Sequence, residues 1–586
     1  MTKNYRIKLY VLKFLILIPS FLAPIFSLAQ STAELNAPEK IFFNAKIFTS
    51  NIQKPYADAI AIKGKKIVGV GNLAQIKKSV GPNAIMINMH GGTLLPGFID
   101  SHNHAIEGGE TLLQANVYDS MLSVAELISY VDTCIQTKFG FSGDVLVIKG
   151  LNISTWSSLK DLMATFNGGN YENIPILFAG SDGHTGWSNS ALQKKAGINS
   201  AFISSLDAEG KKYFGIESNG SPNGFIADSG FVKLDAVIPA SKIDRNKVAV
   251  KAMEYNNSCG ITAWLDPAAG DIGYKGKNLM LESYKYLAEK KLLTAHIAAT
   301  VVADANGDPQ KQINSLKILR TKYNSIPNIY VIGFKIFADG VIEYPTQTAA
   351  LSKPYTNSGS MGILMYDPKK FSAFVIAADK SGLLVHVHAI GDRAVTETLN
   401  GFEAARKTNG NTQIPHTITH VQVMKEEDIS RFANLGILAS LQLYWAMSDV
   451  TTIDIVKPYI DPTLYQLQYP ARSLLHAGVK ICGASDWPVS TANPFYAIYE
   501  AETRRGKKGV LDSSQTVPRL AMLYAYTINA ACALREEKKI GSLEVGKSAD
   551  IIFPDRDVLM VDAEELKNTK INWTMFEGKI VYSSSK

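Results

Sequence analysis

The stretch Thr93-Leu-Leu-Pro-Gly-Phe-Ile-Asp-Ser-His-Asn-His104 is an apolar run that ends in two histidines separated by one residue. In an extended strand, residues i and i+2 lie on the same face, so His102 and His104 can present two imidazoles to one metal ion. A His-x-His pair also occurs on partly buried strands that bind nothing. The pair alone leaves both interpretations open, and the rest of the chain decides between them.

Beyond this stretch, short strand patterns alternate with helix patterns, which favours a parallel sheet or barrel. The chain has 586 residues, enough for a barrel of about 250 residues with insertions and an accessory domain. Eight strand candidates end in or near polar residues, the number that a (β/α)8 barrel needs. They are predicted at residues 96–104, 261–266, 295–301, 332–338, 383–388, 416–421, 437–442 and 480–486.

The two ends of the chain show β-hairpin patterns instead, with turns at Gly64-Lys65 and Glu577-Gly578. Neither end has enough strands to close a core, so we expect one small β-sandwich domain built from residues 30–93 and 540–586. Residues 94–539 then form the barrel. Two further strand patterns, at 145–148 and 174–179, are assigned to an insertion of about residues 110–245 after the first barrel strand. The predicted fold class is α/β.

The first 29 residues have the pattern of a secretory signal peptide: a basic start, an apolar run from Phe14 to Phe26, and small residues before a cut near Ala29. The alternative is an uncleaved membrane anchor, although Pro19 and Pro24 interrupt the apolar run. We therefore expect an exported protein, periplasmic or extracellular, with no stable membrane span after cleavage. The four cysteines are widely spaced, so neither a zinc ribbon nor a dense disulfide framework is indicated.

Composition indicates a globular protein, since 46% of residues are hydrophobic and 19% are charged. The net charge is +7, but four of the positive charges, Lys3, Arg6, Lys8 and Lys13, lie in the signal segment without an acidic residue beside them. The remaining balance is small and implies no nucleic-acid partner.

Catalytic groups of such a barrel lie at the carboxyl ends of its strands, so the polar residues there should converge on one mouth. They are His102, His104, Asp266, Lys335, His388, His420 and Asp486. His386 and His388 form a second His-x-His pair, in which one residue can be a ligand and the other a packed or supporting group. A buried lysine is rare unless it is paired or modified, so Lys335 is either an edge lysine or a functional group.

Five segments together resemble the metal-dependent amidohydrolase superfamily, and within it the branch of YtcJ-like proteins and N-substituted formamide deformylases. The resemblance runs from about residue 40 to the end, with the motifs in the expected order. These segments are Leu95-Pro-Gly-Phe-Ile-Asp-Ser-His-Asn-His104, Gly333-Phe-Lys-Ile-Phe-Ala-Asp-Gly340, Val387-His-Ala-Ile-Gly-Asp392, Ala484-Ser-Asp-Trp-Pro488 and Gly541-Ser-Leu-Glu-Val-Gly-Lys-Ser-Ala-Asp550.

The resemblance implies a (β/α)8 TIM-type barrel beside the β-sandwich, and it implies roles for the strand-end residues. His102 and His104 would hold a first zinc ion, and His388 and His420 a second. An N-carboxylated Lys335 would bridge them, and Asp486 would bind the first metal and transfer protons. One or two zinc ions suit these ligands, and manganese, iron or cobalt would also fit.

Other residues are assigned from a motif of the same branch, Ser181-Asp-Gly-His-Thr-Gly-Trp-Ser-Asn189, which lies in the insertion. His184 would donate to the substrate carbonyl oxygen, Trp187 would form an apolar wall and Asn189 would fix the loop. A purely structural turn is the alternative. Arg393 would meet an acidic substrate group or form an ordinary ion pair.

This sequence departs from the family pattern at two strand ends. Relatives carry Glu-His-Ala-Gln where this chain has Thr419-His-Val-Gln422, and they often carry His-Asp where this chain has Trp264-Leu-Asp266. After Asp339-Gly340, Val341 stands where relatives have a small polar residue. These departures concern substrate preference, while the metal ligands are retained.

The predicted function is hydrolysis of a non-peptide C–N bond, in a linear amide or an N-formyl or N-acyl amine, by a metal-activated hydroxide. Asp486 would take the proton from the attacking water and pass it to the leaving nitrogen. Alternatives are hydrolysis of a cyclic amide, deamination at the same site, or a catalytically silent ligand-binding protein. We expect a small-molecule amide as the substrate, and a homodimer stays open as the assembly.

Overall fold

The computed structural model describes residues 39–239, 244–271 and 276–584. The predicted signal peptide, residues 1–29, lies outside these ranges. Across the described part of the chain, no helix is both long and apolar enough to cross a membrane.

Eight parallel strands form the central sheet, and they are neighbours in the same order as along the chain. The amide of Ser101, just after the first strand, donates to the carbonyl of Gly483 in the last strand at 2.9 Å, so the sheet is nearly closed into a barrel. The strands are β1 (Phe98–Asp100), β2 (Ile261–Asp266), β3 (His296–Val302), β4 (Ile329–Phe337), β5 (Leu384–Ala389), β6 (Thr417–His420), β7 (Leu438–Leu441) and β8 (Ile481–Gly483).

These segments form barrel strands because they are apolar on both faces. Every residue of β2 and β5 is buried, as expected for parallel strands covered by helices on one side and filled by side chains on the other. The helices after β3 and β4 begin at polar caps, as where Asp308 accepts from the amide of Lys311 and Pro309 occupies the first turn. The predicted (β/α)8 barrel is therefore confirmed.

The helices of the barrel and its loops have the following bounds. They are Ala105–Thr111, Arg245–Ser258, Leu279–Glu289, Pro309–Tyr323, Pro368–Lys380, Asp392–Asn409, Glu426–Leu435, Val450–Asp454, Pro462–Tyr465, Ala471–His476, Pro494–Thr503, Arg519–Tyr524 and Ala530–Ala533, with a π-helical turn at Ala525–Asn529 and 3-10 turns at Leu443–Trp445, Lys457–Tyr459 and Ser513–Gln515. A short hairpin, Arg505–Gly506 with Gly509–Val510, follows the helix Pro494–Thr503.

Strands from both ends of the chain form a second, eight-stranded sheet. Thr93–Pro96 joins the strands from the N-terminal end to those from the C-terminal end, since it pairs with Lys40–Phe48 on one side and Ile551–Pro554 on the other. A Cβ on Gly578 would lie 2.0 Å from the Gly64 carbonyl oxygen, so the two predicted turns pack on each other. The remaining strands are Tyr56–Lys63, Lys66–Gly71, Ile85–Asn88, Ile571–Phe576 and Lys579–Ser583, with helices Leu73–Ser79 and Ala563–Leu566 beside them.

The insertion after β1 carries its own seven-stranded sheet, which includes both of the extra predicted strands. Its strands are Asn116–Ser120, Phe141–Ser142, Val145–Leu151, Ile176–Gly180, Thr185–Ser188, Phe214–Ile216 and Pro222–Ala227. Its helices are Val124–Thr137, Leu159–Phe166, Ser190–Ala196, Ser200–Ser205, Ala208–Lys211 and Phe231–Asp235, with 3-10 turns at Ile153–Ser158, Gly169–Tyr171 and Asp228–Gly230.

The first barrel strand is shorter than the predicted 96–104. Pro96 pairs with Ile551 of the other sheet, β1 covers Phe98–Asp100, and His102 and His104 follow the strand. Gly97 makes the transition, because a Cβ at this position would lie 2.2 Å from the Thr262 hydroxyl. The same-face argument for an extended His-x-His pair therefore does not describe this segment.

A candidate metal centre at the mouth of the barrel

Backbone hydrogen bonds place the His102–His104 loop against the end of β8. The amide of Asp486 donates to the His102 carbonyl at 2.8 Å, and the amide of His104 donates to the Trp487 carbonyl at 2.9 Å. The buried Asp100 carboxylate accepts from Ser485 Oγ at 2.5 Å and from the His102 amide at 3.1 Å. The first and last strands are thus joined at the point where two predicted histidines and the predicted aspartate lie.

The side chains of this loop converge on one carboxylate oxygen. Oδ1 of Asp486 lies 3.2 Å from Nε2 of His102 and 3.2 Å from Nε2 of His104. His102, His420 and Asp486 each offer a ligand atom within 4.8 Å of the others, and all three residues are buried. The structure therefore brings together four of the six predicted metal ligands at one point.

The atoms that face each other here fit a cation. Nε2 of His102 and Oδ1 of Asp486 are buried, and neither has a hydrogen-bond partner within the described residues, although they are 3.2 Å apart. Leaving buried polar atoms unpaired costs free energy, so native structures rarely tolerate it without a ligand, ion or water. Imidazole nitrogen and carboxylate oxygen are ligands that zinc and related divalent metals accept.

Two histidines of the cluster, His102 and His388, are in the form that binds metals. Burial, followed by the charge of Lys335, lowers the pKa of His102 to about 3, and the same two causes lower that of His388 to about 3. Both imidazoles are therefore neutral at neutral pH, with a lone pair free for coordination.

His420 is held in one orientation by its surroundings. Its Nδ1 lies 3.0 Å from Oε1 of Gln442, an acceptor, so Nδ1 carries the proton and Nε2 keeps its lone pair. The ring stacks on Trp445 at a centroid distance of 5.6 Å and an interplanar angle of 13°. His420 (φ 75°) and Asp486 (φ 56°) both adopt left-handed backbone conformations, a strain that non-glycine residues retain mainly at functional sites.

His102 is held through its other nitrogen. Its Nδ1 lies 2.7 Å from Nε2 of His386, whose Nδ1 lies 2.5 Å from the hydroxyl of Thr417. His386 and Thr417 are fully buried. Of the second His-x-His pair, His386 is thus the supporting residue of His102.

His388 and Lys335 lie beside this group. The rings of His388 and His420 meet edge to face at a centroid distance of 4.5 Å, and Nε2 of His388 lies 3.1 Å from the Gly340 carbonyl oxygen. Lys335 is 1% exposed, with its amine 4.8 Å from the ring centroid of Phe337. Burial lowers the pKa of Lys335 to about 7, which favours the neutral amine over its usual charged form.

The insertion contributes His184 to the same mouth. Its Nδ1 lies 2.7 Å from Oδ1 of Asp228, and its amide donates to Asp182. Burial acts to lower the pKa of His184, but the hydrogen bond with Asp228 and the charge of Asp182 outweigh it and raise the pKa. The charge of His184 contributes to lowering the pKa of His388, which indicates that the insertion lies near the histidine cluster.

Three predicted substrate-binding residues have structural contacts. Trp187 is fully buried in the insertion, where its Nε1 donates to the Asn223 carbonyl at 2.9 Å. Asn189 caps the helix Ser190–Ala196 and donates to the Ile174 carbonyl at 2.8 Å. A guanidinium nitrogen of Arg393 donates to the Met361 carbonyl at 3.4 Å. These contacts account for a structural role of each residue, and their substrate-binding roles stay predictions.

Sequence reasoning missed three supporting residues. Gln442 is the last residue of a predicted strand, so the rule that strand ends carry functional groups would have found it. Asp100 precedes the first histidine by two residues and gave no separate signal. Asp228 is 44 residues from His184, and no local pattern connects the two.

Comparison with known proteins identifies the same family that the sequence motifs resemble. The model of the amidohydrolase family matches residues 86–582. The protein YtcJ of Bacillus subtilis (strain 168), an amidohydrolase by name, is 26% identical over 93% of this chain and 99% of its own length. The N-substituted formamide deformylase of Arthrobacter pascens is 23% identical over 92% of this chain and 98% of its own length.

A solved structure shares the fold. The crystal structure of an uncharacterized metal-dependent hydrolase from Pyrococcus horikoshii OT3 superimposes with a TM-score of 0.65 over 90% of this chain and 99% of that chain, at 22% identity. The resemblance predicted from sequence is confirmed by the family match, which spans the barrel and the strands from the C-terminal end. This chain belongs to the amidohydrolase family.

Proposed function

We propose that the protein is an exported, metal-dependent hydrolase that cleaves the C–N bond of a linear amide, with an N-formyl or N-acyl amine as the substrate class. The observation that carries the proposal is the pair of unpartnered buried atoms, Nε2 of His102 and Oδ1 of Asp486, 3.2 Å apart at the barrel mouth. The similarity to an N-substituted formamide deformylase supports C–N cleavage.

His102, His104 and Asp486 would hold a first divalent metal, and His388 and His420 a second, with zinc as the expected metal. A divalent cation held here supplies Lewis acidity and lowers the pKa of water that it coordinates. Lys335 would join the two sites as an N-carboxylated residue. Its lowered pKa supports this role, because the neutral amine is the form that adds to carbon dioxide, with loss of a proton, to give a carbamate.

Asp486 would move the proton. Burial acts to raise the pKa of Asp486, but the neighbouring His102 and His104 outweigh it and hold the pKa well below its usual range. The carboxylate is therefore ionised and can take a proton from the attacking water. It then delivers this proton to the amide nitrogen, because without the proton the nitrogen would have to leave as a strongly basic anion instead of a neutral amine.

His184 would stabilise the negative charge that develops on the carbonyl oxygen. Its Nδ1 lies 2.7 Å from Asp228, and the raised pKa favours the doubly protonated ring, in which Nε2–H would be a charged donor. Phe337 and Trp445, which pack against His388 and His420 and are partly exposed, would form apolar walls for the substrate.

The first experiment combines metal analysis with a substrate screen. Purified protein should contain stoichiometric zinc or another divalent metal, and chelation should abolish turnover that added metal restores. Linear N-formyl and N-acyl amines should be hydrolysed faster than lactams or aminopurines. Purified protein devoid of divalent metal would contradict the proposed metal-dependent hydrolysis. A preference for lactams would favour cyclic amide hydrolysis instead, and a preference for aminopurines would favour deamination.

Export is tested separately by expressing the full chain in a bacterium with a periplasm and sequencing the mature N-terminus. The proposal expects a start at Gln30 in the periplasmic or culture fraction. An intact Met1 in the cytoplasmic fraction would contradict it.

A further inference from the structure

The side chain that contacts Nδ1 of His102 is a second histidine. This is unusual, because the supporting partners of metal-binding histidines are usually carboxylates, carbonyls or water. His386 Nε2 lies 2.7 Å from His102 Nδ1, and His386 Nδ1 lies 2.5 Å from Thr417 Oγ1. All three residues are buried, so water does not compete for these bonds. The result is a continuous chain of hydrogen bonds that runs from β6 through β5 to the loop after β1.

This chain permits two proton arrangements. In one, Thr417 donates to His386, His386 donates to His102, and the proton of His102 sits on Nε2. In the other, the proton of His102 sits on Nδ1 and is donated to Nε2 of His386, whose own proton sits on Nδ1 and is donated to Thr417. Each ring carries one proton in both arrangements, so they differ in tautomer and not in charge.

The geometry at Nε2 of His102 distinguishes the two arrangements. This atom is buried, and among the described residues it makes no hydrogen bond, because Asp486 Oδ1 lies 3.2 Å away without the geometry of one. A proton on Nε2 would be an unsatisfied buried donor, which disfavours this arrangement. A lone pair on Nε2 carries no such donor, and it is also what a metal ion requires.

We infer that His386 and Thr417 act as positioning residues that fix His102 as the Nδ1-protonated tautomer and so keep its Nε2 available to the metal. The inference rests on the proposed metal-dependent function. It gives His386 a role that differs from that of a ligand. It also explains why the fifth strand carries two histidines, with His388 facing His420 and His386 facing His102.

We call the hydrogen-bonded chain of Thr417, His386 and His102 the relay. Breaking the relay should weaken the affinity for the metal and leave the number of bound metal ions unchanged. Thr417→Val replaces the hydroxyl by a methyl group of similar size, and His386→Phe removes the acceptor while keeping a ring. Both variants should bind the metal held by His102 about 10- to 100-fold more weakly, the effect seen when supporting partners of metal ligands are lost. Thr417→Ser, which restores the hydroxyl, should return most of the affinity.

A matched control is Thr300→Val. Thr300 is a fully buried strand threonine whose hydroxyl donates to the Pro267 carbonyl. Metal affinity is measured by competition with a chromogenic chelator, and stoichiometry by elemental analysis. Thr417→Val binding metal as tightly as Thr300→Val would overturn the inference, and so would loss of one metal equivalent in His386→Phe, because His386 would then be a ligand.

Neutron diffraction on metal-loaded wild-type crystals tests the tautomer of His102 without any substitution. This test can therefore be made even if a variant fails to fold. Deuterons are expected on Nδ1 of His102 and on Nδ1 of His386. A deuteron on Nε2 of His386 that points to His102 would refute the relay. Wild-type protein that takes up no metal would instead contradict the proposed hydrolase, and the deuteron positions in metal-free crystals would still test the relay.

Discussion

Asp486 and His184 approach the barrel mouth from different parts of the chain, and each is assigned a different role in the proposed proton and charge movements. Asp486 lies at the end of β8 and faces two imidazoles at 3.2 Å. His184 comes from the insertion and is oriented by Asp228. The two residues can therefore be tested one at a time.

Asp486→Asn keeps the size of the side chain but removes the charge that takes up the proton. We expect kcat to fall by about 10²- to 10⁴-fold, the range for losing a general acid–base group, while the unfolding temperature changes little. The measurement is steady-state kinetics beside thermal unfolding. Asp454→Asn, at an exposed carboxylate paired with Lys508, is the control and should leave kcat unchanged. Full activity of Asp486→Asn would contradict the assigned role.

His184→Gln removes the charged donor, and we expect kcat to fall by about 10²- to 10³-fold, as for loss of an oxyanion-stabilising group. Asp228→Asn should act through His184 and give a smaller loss. Because the two residues form one unit, the double variant should lose no more than His184→Gln alone. A double variant whose losses multiply would show that Asp228 acts independently of His184.

At the scale of the elements, buried polar clusters fix the strands that carry the site. Asp379, at the end of the helix Pro368–Lys380, is 1% exposed and accepts from four groups of the neighbouring elements. One is His416 at 2.9 Å, just before β6, and another is Arg406 at 2.8 Å. Asn409 and Thr412 complete the set. This cluster holds the start of β6, and with it the register of His420.

Asp379→Asn should lower the free energy of unfolding by about 3 kcal/mol at pH 7, because the variant leaves buried donors without their charged partner. Burial acts to raise the pKa of Asp379, but the hydrogen bonds from His416, Thr412 and Asn409 outweigh it and lower the pKa. A carboxylate with a depressed pKa stabilises the fold above its unfolded-state pKa of about 3.9, and this stabilisation is lost as the pH falls further.

The difference in stability between wild type and Asp379→Asn should therefore be constant near neutral pH and shrink as the pH falls below about 4. Urea unfolding at several pH values measures it. Asp557→Asn, at a surface pair with Lys46, is the control and should change stability by less than about 1 kcal/mol. A difference that grows on acidification would contradict this assignment.

At the scale of the whole molecule, the two chain ends complete each other and also support the barrel. Thr93–Pro96 pairs with strands from both ends, and the hydroxyl of Thr574 donates to the Asn257 carbonyl beside β2 at 2.7 Å. His296 at the start of β3 lies 2.9 Å from Asp550. The sheet built from both ends is therefore fastened to the end of the barrel opposite to the candidate metal centre.

A chain that ends at residue 570 should not fold to a stable monomer. The truncation removes the buried Ile571, Met575 and Phe576, each contributing about 1.5–3 kcal/mol, and the total approaches the whole stability of a typical protein. Thermal unfolding and size-exclusion chromatography measure the effect. Ile580→Lys, at a residue that is 56% exposed, is the control and should fold normally. Cooperative unfolding of the truncated chain at an unchanged temperature would contradict the prediction.

The sequence by itself determined the barrel, the order of its eight strands and the residues at their carboxyl ends. Burial on both faces makes parallel strands recognisable as short apolar runs, and a barrel brings the end of every strand to one mouth whatever the loops do. His420 and Asp486 could therefore be predicted as neighbours although they lie far apart in the chain. The resemblance to a family added the role of each residue.

Only the tertiary structure decided how the side chains are held. His102 and His104 follow the strand, and closure of β1 on β8 places both of them against Asp486. The partner of His102 is His386, 284 residues later, and the partner of His184 is Asp228. Such pairings depend on how distant segments pack, whereas local periodicity records only which face of an element is buried, so no pattern in the sequence could reveal them.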